Sequence, residues 1–432
     1  MPIRHRSGKT ARVLVVIGTR PEGIKLAPVV SALRERAAID TRVALTGQHS
    51  DLIDQVLDVF ALKPDWDLGI MREGQDFYDV AHACLDGLRG IVGEWRPDGI
   101  VVEGDTSSVF LGGLVAFFER IRVAHVEAGL RSRDPWPEPP QPAYPDPFPE
   151  EMLRRLTGVL ADTHLAPTPN ARNNLLAEGV DPARVFVTGN TVVDALHSIA
   201  SQPHEPHNVD LANALVSGRR LVLVTAHRRE SFGEPMGRAF GALRRVADRF
   251  HDVELLYPVH PNPNVRGMAA EHLAQHPRIR LTDPLDYRDL VHALSRCALV
   301  ITDSGGIQEE APAFRVPVLV MRDVTERPEG VTAGVAALVG TDAEAIETMA
   351  GIILETGDQR AIGRYNHLRS NGTGPAEAAR GATSGSDRTD VHEHANPYGD
   401  GRAGERIADI LAHRWAGTDR RTSDWDTGVV SP

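Results

Sequence analysis

The sequence predicts an α/β protein of two doubly wound, Rossmann-like domains facing a cleft. Short β-branched runs alternate with longer amphipathic stretches, the pattern of strands and the helices that cover them. The alternation breaks once, at the polar stretch Ser201 to Asn208, and then begins again. A length of 432 residues, at about 150 per domain, accommodates two such units and an appendage. Ligands of doubly wound folds bind beyond the carboxyl ends of the strands, so the rims facing the expected cleft are where chemistry is sought.

In the first half the expected strands are Val13 to Ile17, Arg42 to Leu45, Ile100 to Val102, Val123 to His125, His164 to Ala166 and Val185 to Thr188. Apolar spacings of three and four around Ser31 and Leu33, in Asp51 to Phe60 and in Ser107 to Arg120 mark helices between them. The second half supplies Leu221 to Thr225, Leu255 to Val259, Ile279 to Leu281, Leu299 to Ile301 and Val318 to Met321. Pro135 to Pro149 carries eight prolines in fifteen residues and is expected to be a surface loop. Arg369 to Gly401 lacks Leu, Ile, Phe and Met, which predicts a largely disordered stretch. Glu405 to Trp415 reads as a further amphipathic helix, and Gly417 onward as a solvated tail. The expected organisation is an extension (1–11), an N-terminal domain (12–198), a C-terminal domain (199–368), an insertion (369–395), a C-terminal helix (396–416) and a disordered tail (417–432).

Composition narrows the function. A formal charge of -12 opposes nonspecific nucleic-acid or anionic-membrane binding. The longest apolar run, Val109 to Phe118, is far below the roughly 18 to 20 residues that span a bilayer. The basic N-terminus lacks an apolar signal-peptide core, so a cytoplasmic protein is expected. Cys84 and Cys297 lie far apart in helical-looking segments, which argues for buried small hydrophobes over a disulfide or a metal site. No His-Glu-x-x-His motif occurs, and no metal site is expected.

Chemistry-bearing motifs follow the strands. The first runs into Gly18-Thr19-Arg20-Pro21-Glu22-Gly23-Ile24-Lys25, which places Arg20 at a helix N-terminus, where an anion is favoured. Lys25 is one of only three lysines against 44 arginines. Glu103-Gly104-Asp105-Thr106, His125 to Gly129 and Glu150-Glu151 bring carboxylates to one rim, where mutual repulsion raises pKa values and suits acid–base work. Helix capping is the competing explanation for Asp105 and Glu150. In the second half His227 and His260 follow strands, and Thr302 to Pro312 carries Ser304-Gly305-Gly306, bare backbone N–H groups of the kind that cradle phosphate. Glu310, one turn on, is placed for ribose hydroxyls, and the set suggests a nucleotide-sugar site.

These motifs, with Thr46-Gly47-Gln48-His49, Thr188 to Thr191, His227 to Ser231 and Thr325 to Glu329, make the sequence resemble bacterial non-hydrolysing UDP-N-acetylglucosamine 2-epimerases. The blocks run in order over residues 12 to 365 and again from Asn396 to Ala412. The resemblance implies a GT-B-like fold, a homodimer, no redox cofactor, and interconversion of UDP-GlcNAc and UDP-ManNAc through elimination of UDP to 2-acetamidoglucal. It further implies Asp105, Glu127 and Glu150 as acid–base groups with His227 beside the diphosphate, and Arg20, Lys25, Ser304, Gly305, Gly306, Glu310 and Arg327 as UDP contacts. Backbone near Leu290 would read the uracil, and Gln48 and His49 match positions linked to a second, activating UDP-GlcNAc. Two departures stand out: a longer Pro-rich loop, and Leu153 where the family has Asn. A hydrolysing relative, a glycosyltransferase of the same fold and an inactive UDP-sugar-binding homologue remain alternatives.

Overall fold

The computed structural model describes residues 10–47, 50–72, 74–132, 144–145, 147–383 and 396–426. The chain divides into two compact units, Met1–Ala195 with Tyr398–Thr427, and Leu196–Pro397 with Gly428–Pro432.

The N-terminal unit holds β1 (Ala11–Ile17), β2 (Ile39–Leu45), β3 (Trp66–Asp67), β4 (Gly99–Glu103), β5 (Arg122–Val126), β6 (Thr163–Ala166) and β7 (Val185–Val187). They form one parallel sheet in the order β3-β2-β1-β4-β5-β6-β7. Strands β1 and β4 are nearly continuous apolar runs because helices cover both faces of a parallel sheet. The C-terminal unit holds β8 (Arg220–Thr225), β9 (Val253–Pro258), β10 (Ile279–Thr282), β11 (Cys297–Thr302), β12 (Val318–Val320) and β13 (Ala336–Leu338), parallel in the order β10-β9-β8-β11-β12-β13. In each sheet the order reverses between two central strands, β1 and β4 or β8 and β11. At such a switch point the outgoing loops splay apart and leave a crevice.

Several expectations need correction. Helix Pro375–Gly381 lies inside the stretch expected to be disordered, and Ala378, Ala379 and Ala382 are buried in the C-terminal core. Alanines docked on helix Ala343–Thr356 give the close packing that large side chains supply elsewhere. The expected solvated tail docks as far as Asp426: Trp425 is buried, its N–H donates to Val187 O at 2.8 Å, and Asp424 accepts from Val187 N at 3.1 Å. Cys297 opens β11 and is not helical, although both cysteines are free and buried as expected.

The C-terminal segment completes the N-terminal unit. Helix Ala403–Leu411 packs on helix Arg20–Arg34 so closely that a Cβ at Gly404 would stand 2.8 Å from Pro28 O. Asp194 accepts from the N–H groups of Ala403 and Gly404, and Asp409 from those of Arg421 and Thr422. A π-helical turn, Ala412–Ala416, then lays the Trp415 ring against Gly99, where no side chain could fit.

Candidate functional site

In the N-terminal unit the candidate residues gather at the switch point. Glu22, in the first turn of helix Arg20–Arg34, accepts from Gly18 N at 2.6 Å, from the Thr19 hydroxyl at 2.9 Å and, across the crevice, from the Thr106 hydroxyl at 2.7 Å. It ties the loop after β1 to the loop after β4. Burial outweighs these bonds and lifts the Glu22 pKa to about 7.

One turn along the same helix, the Lys25 ammonium bonds Glu127 and stands 3.2 Å from Glu103 Oε1. Glu103, the last residue of β4, is pushed well above the usual carboxylate range, chiefly by burial and against the pull of Lys25. The raised acids at this rim are thus Glu22 and Glu103, and desolvation, not the expected crowding of carboxylates, is the main cause. Glu127 follows β5 with φ +63°, a left-handed conformation that costs an L-residue about 1 kcal/mol or more and is tolerated where the surroundings fix it. Buried His125 bonds Gly104 O through Nε2 at 2.7 Å, and burial lowers its pKa to about 4, so the neutral ring braces the turn before Asp105.

Asp105 does not cap the next helix; Thr106 holds the cap position, and its side chain makes no cap bond either. The Asp105 carboxylate bonds the guanidinium of Arg154, with Nε at 3.1 Å. Arg154 lies one turn into helix Glu150–Leu160, opened by Glu150, and also donates to buried Glu151 at 3.1 Å. Asp105 and the Glu150 helix are therefore linked through a residue that the sequence reading missed. Its signal was present: Glu150-Glu151 and Arg154-Arg155 share a face at helical spacing. Leu153 is buried on this helix. Gln48 and His49 lie outside the described residues, as does most of the Pro-rich loop.

In the C-terminal unit, buried Asp303 follows β11 and accepts from His227 N at 2.7 Å and Arg228 N at 2.8 Å, pinning the loop after β8. Its other oxygen stands 3.0 Å from His227 Nδ1, which leaves Nε2 for a ligand, and the His227 ring stacks on His260 at 5.4 Å. The sequence motif alone does not reveal the part of Asp303; its position directly after a β-strand, before Ser304-Gly305, is the available clue. Helix Gly305–Glu310 starts after Ser304, whose N–H donates to the Thr302 hydroxyl at 2.9 Å. Arg327 Nε donates to Glu309 at 2.9 Å, and its guanidinium comes so near Gly305 that a Cβ there would be 3.0 Å away. A cation thus lies beside the expected phosphate cradle, and Glu310 ends the same helix. Leu290 lies on helix Tyr287–Leu294, packed against the core cluster that includes Ile307 of helix Gly305–Glu310, its own N–H bonded to Asp286 O.

One cluster with metal-ligand spacing escaped the motif search: atoms of His204, Asp286 and Asp289 lie within 4.8 Å of one another. His204 Nε2 and Asp289 Oδ1 already pair at 2.6 Å, and Asp289 also accepts from His207 N and Asn208 N, so these groups lash the 201–208 connection to helix Tyr287–Leu294. Among the described residues no helix is long and apolar enough to cross a membrane.

A family model described as UDP-N-acetylglucosamine 2-epimerase matches residues 31–373. The Bacillus subtilis UDP-N-acetylglucosamine 2-epimerase is 41% identical over 403 residues, 93% of this chain and 95% of that protein. The S. aureus MnaA–UDP co-structure is similar with TM-score 0.76 and 38% identity, covering 96% of this chain and all of that one. The UDP-GlcNAc 2-epimerase from Neisseria meningitidis bound to UDP-GlcNAc is similar with TM-score 0.73 and 34% identity, covering 93% of this chain and all of that one.

Proposed function

The chain belongs to the UDP-N-acetylglucosamine 2-epimerase family, and we propose that it interconverts UDP-GlcNAc and UDP-ManNAc by eliminating UDP to 2-acetamidoglucal and adding it back. The observation that carries this reading is the pair of linkages at the N-terminal rim, where Lys25 joins Glu127 to buried Glu103 and Arg154 joins Asp105 to the helix of Glu150.

The C2–H bond of the sugar adjoins an acetal carbon and is barely acidic, so loss of the proton must accompany departure of UDP. A carboxylate takes the C2 proton, the C2–H electrons form the C1–C2 double bond, and the C1–O electrons leave with UDP. Return of UDP to C1 with a proton delivered to the opposite face of C2 inverts that centre. Such chemistry requires acid–base groups for both faces and cations on the leaving diphosphate. We assign proton transfer to Asp105, Glu127 and Glu150. His227, oriented by Asp303, Arg327 beside Gly305, and Arg20 at its helix N-terminus serve the diphosphate, with Gly305 and Gly306 supplying N–H groups, Ser304 its hydroxyl and Glu310 contacts to the ribose. The uracil falls to backbone near Leu290. Lys25 is bonded to two carboxylates, so its part in this reading is to hold Glu127 in position beside Glu103.

The same reading includes a homodimer and a cytoplasmic location. Phe117 and Phe118 on helix Ser107–Phe118, with Leu156 and Val159 on the adjoining helix Glu150–Leu160, leave apolar surface exposed, as a subunit contact would use. The free, buried cysteines suit a reducing compartment.

Proton NMR with UDP-GlcNAc in deuterated water tests the reaction. Deuterium at C2 together with UDP-ManNAc is expected. Release of free ManNAc and UDP would assign a hydrolysing enzyme, and binding of UDP without C2 exchange would make the chain an inactive homologue.

A further inference from the structure

A cavity opens at the amino-terminal end of the N-terminal sheet, opposite the carboxylate rim. It measures about 820 Å³ and lies before the amino ends of β5, β6 and β7, whereas the carboxylate rim lies beyond the carboxyl ends. A five-residue strand such as β5 separates the two by roughly 15 Å.

The lining is strongly basic in an acidic protein. Arg120, Arg122, Arg184 and Arg414 converge on it, and Asp162 is the carboxylate among the lining residues. The arginines spend their bonds mainly on neutral carbonyls: Arg122 on Arg414 O at 3.1 Å, Arg184 on Ala161 O and Asp162 O, and Arg414 on Ala183 O and Asp162 O. Asp162 is itself occupied by Val123 N and the Thr163 hydroxyl, and stands 3.9 Å from Arg414. Arg120 has no side-chain partner among the described residues. Carbonyl bonding holds the guanidiniums in place without neutralising them, and several N–H donors remain. The Arg414 pKa is lowered first by burial and then, against the pull of Asp162, by Arg184 and Arg122. Ile121, Leu160 and Trp415 form an apolar wall, and the buried indole N–H of Trp415 has no acceptor among the described residues.

We propose that this pocket binds a diphosphate-bearing small molecule, the phosphates on Arg120 and Arg122 and any organic part against Ile121, Leu160 and Trp415. Guanidinium forks match phosphate oxygens in pairs, and the volume lies within the range of small-molecule sites. The proposal is independent of the reaction assigned to the other edge.

Titration calorimetry of the full chain with inorganic pyrophosphate, at physiological ionic strength, tests it. The Arg120→Ala/Arg122→Ala variant should lose about tenfold or more in affinity at one site, while Arg20→Ala leaves that site unchanged. Equal binding by the wild type and the double variant would overturn the proposal. A readout that needs no folded variant is the Trp415 indole signal in a proton–nitrogen spectrum of the wild type, which should shift on adding pyrophosphate; an unmoved signal counts against the pocket. A larger shift with UDP would identify a nucleotide as the source of the diphosphate, and an equal one the free anion.

Discussion

The two switch points share one topology and use buried acids in opposite ways. At the N-terminal rim, Glu22 and Glu103 are buried with raised pKa values, and a single lysine serves Glu103 and Glu127. At the C-terminal rim, one oxygen of Asp303 is spent on two backbone N–H groups and the other stands 3.0 Å from a histidine nitrogen. The first arrangement keeps protons available on acids sheltered from water; the second stiffens a loop and orients a ring. The same crevice geometry thus yields a proton-handling edge or an anion-holding edge, depending on whether the buried acid faces hydroxyls and ammonium or main-chain donors.

Replacing acids at the two rims should separate these roles. Asp105→Asn is expected to lower turnover by about 10²-fold to 10⁴-fold while UDP affinity measured by calorimetry stays within a fewfold; loss of both would make Asp105 structural. Lys25→Met leaves Glu103 and Glu127 without their cation, and urea unfolding should show a loss of about 3 kcal/mol or more. Asp303→Ala should act mainly on binding, raising KM for UDP-GlcNAc about tenfold through the freed His227 loop, with a smaller change in kcat. If kcat falls further than KM rises, the contrast between the rims fails.

The smallest effect is a slope. Glu22 has a folded-state pKa of about 7, above its ordinary value of 4.5, so the fold favours its protonated form. The stability this contributes is complete below the unfolded pKa and is lost as pH rises through about 7. Between pH 5 and pH 7 the Tm of the wild type should therefore decline relative to Glu22→Gln, and parallel curves would mean that Glu22 ionises normally.

Much of this contrast was legible in the sequence, because the chemistry-bearing residues follow β-branched runs in short motifs that fix their place. Asp105, Glu127, His227 and Ser304 all stand within two residues of a strand's carboxyl end. What was not legible depends on contacts distant in sequence. Burial, not crowding, raises Glu103, and Arg154 reaches Asp105 from 49 residues away. Thr19-x-x-Glu22 did carry the signature of a helix-capping pair, yet Glu22 also reaches Thr106 on another loop. Helix Pro375–Gly381 was missed because alanine burial has no strong periodic signal, and β3 and β13, of two and three residues, are too short to show alternation.

The return of the chain to its first unit bears on synthesis. Helix Ala403–Leu411 and Trp425 complete surfaces prepared by residues before Ala195, and roughly 200 residues of the second unit are made in between. At about 5 to 20 residues per second the nascent first unit waits on the order of 10 to 40 s with helix Arg20–Arg34 uncovered. Over that interval it offers chaperones an apolar face, and a ribosome that stops short of residue 398 releases a first unit that lacks its final helix.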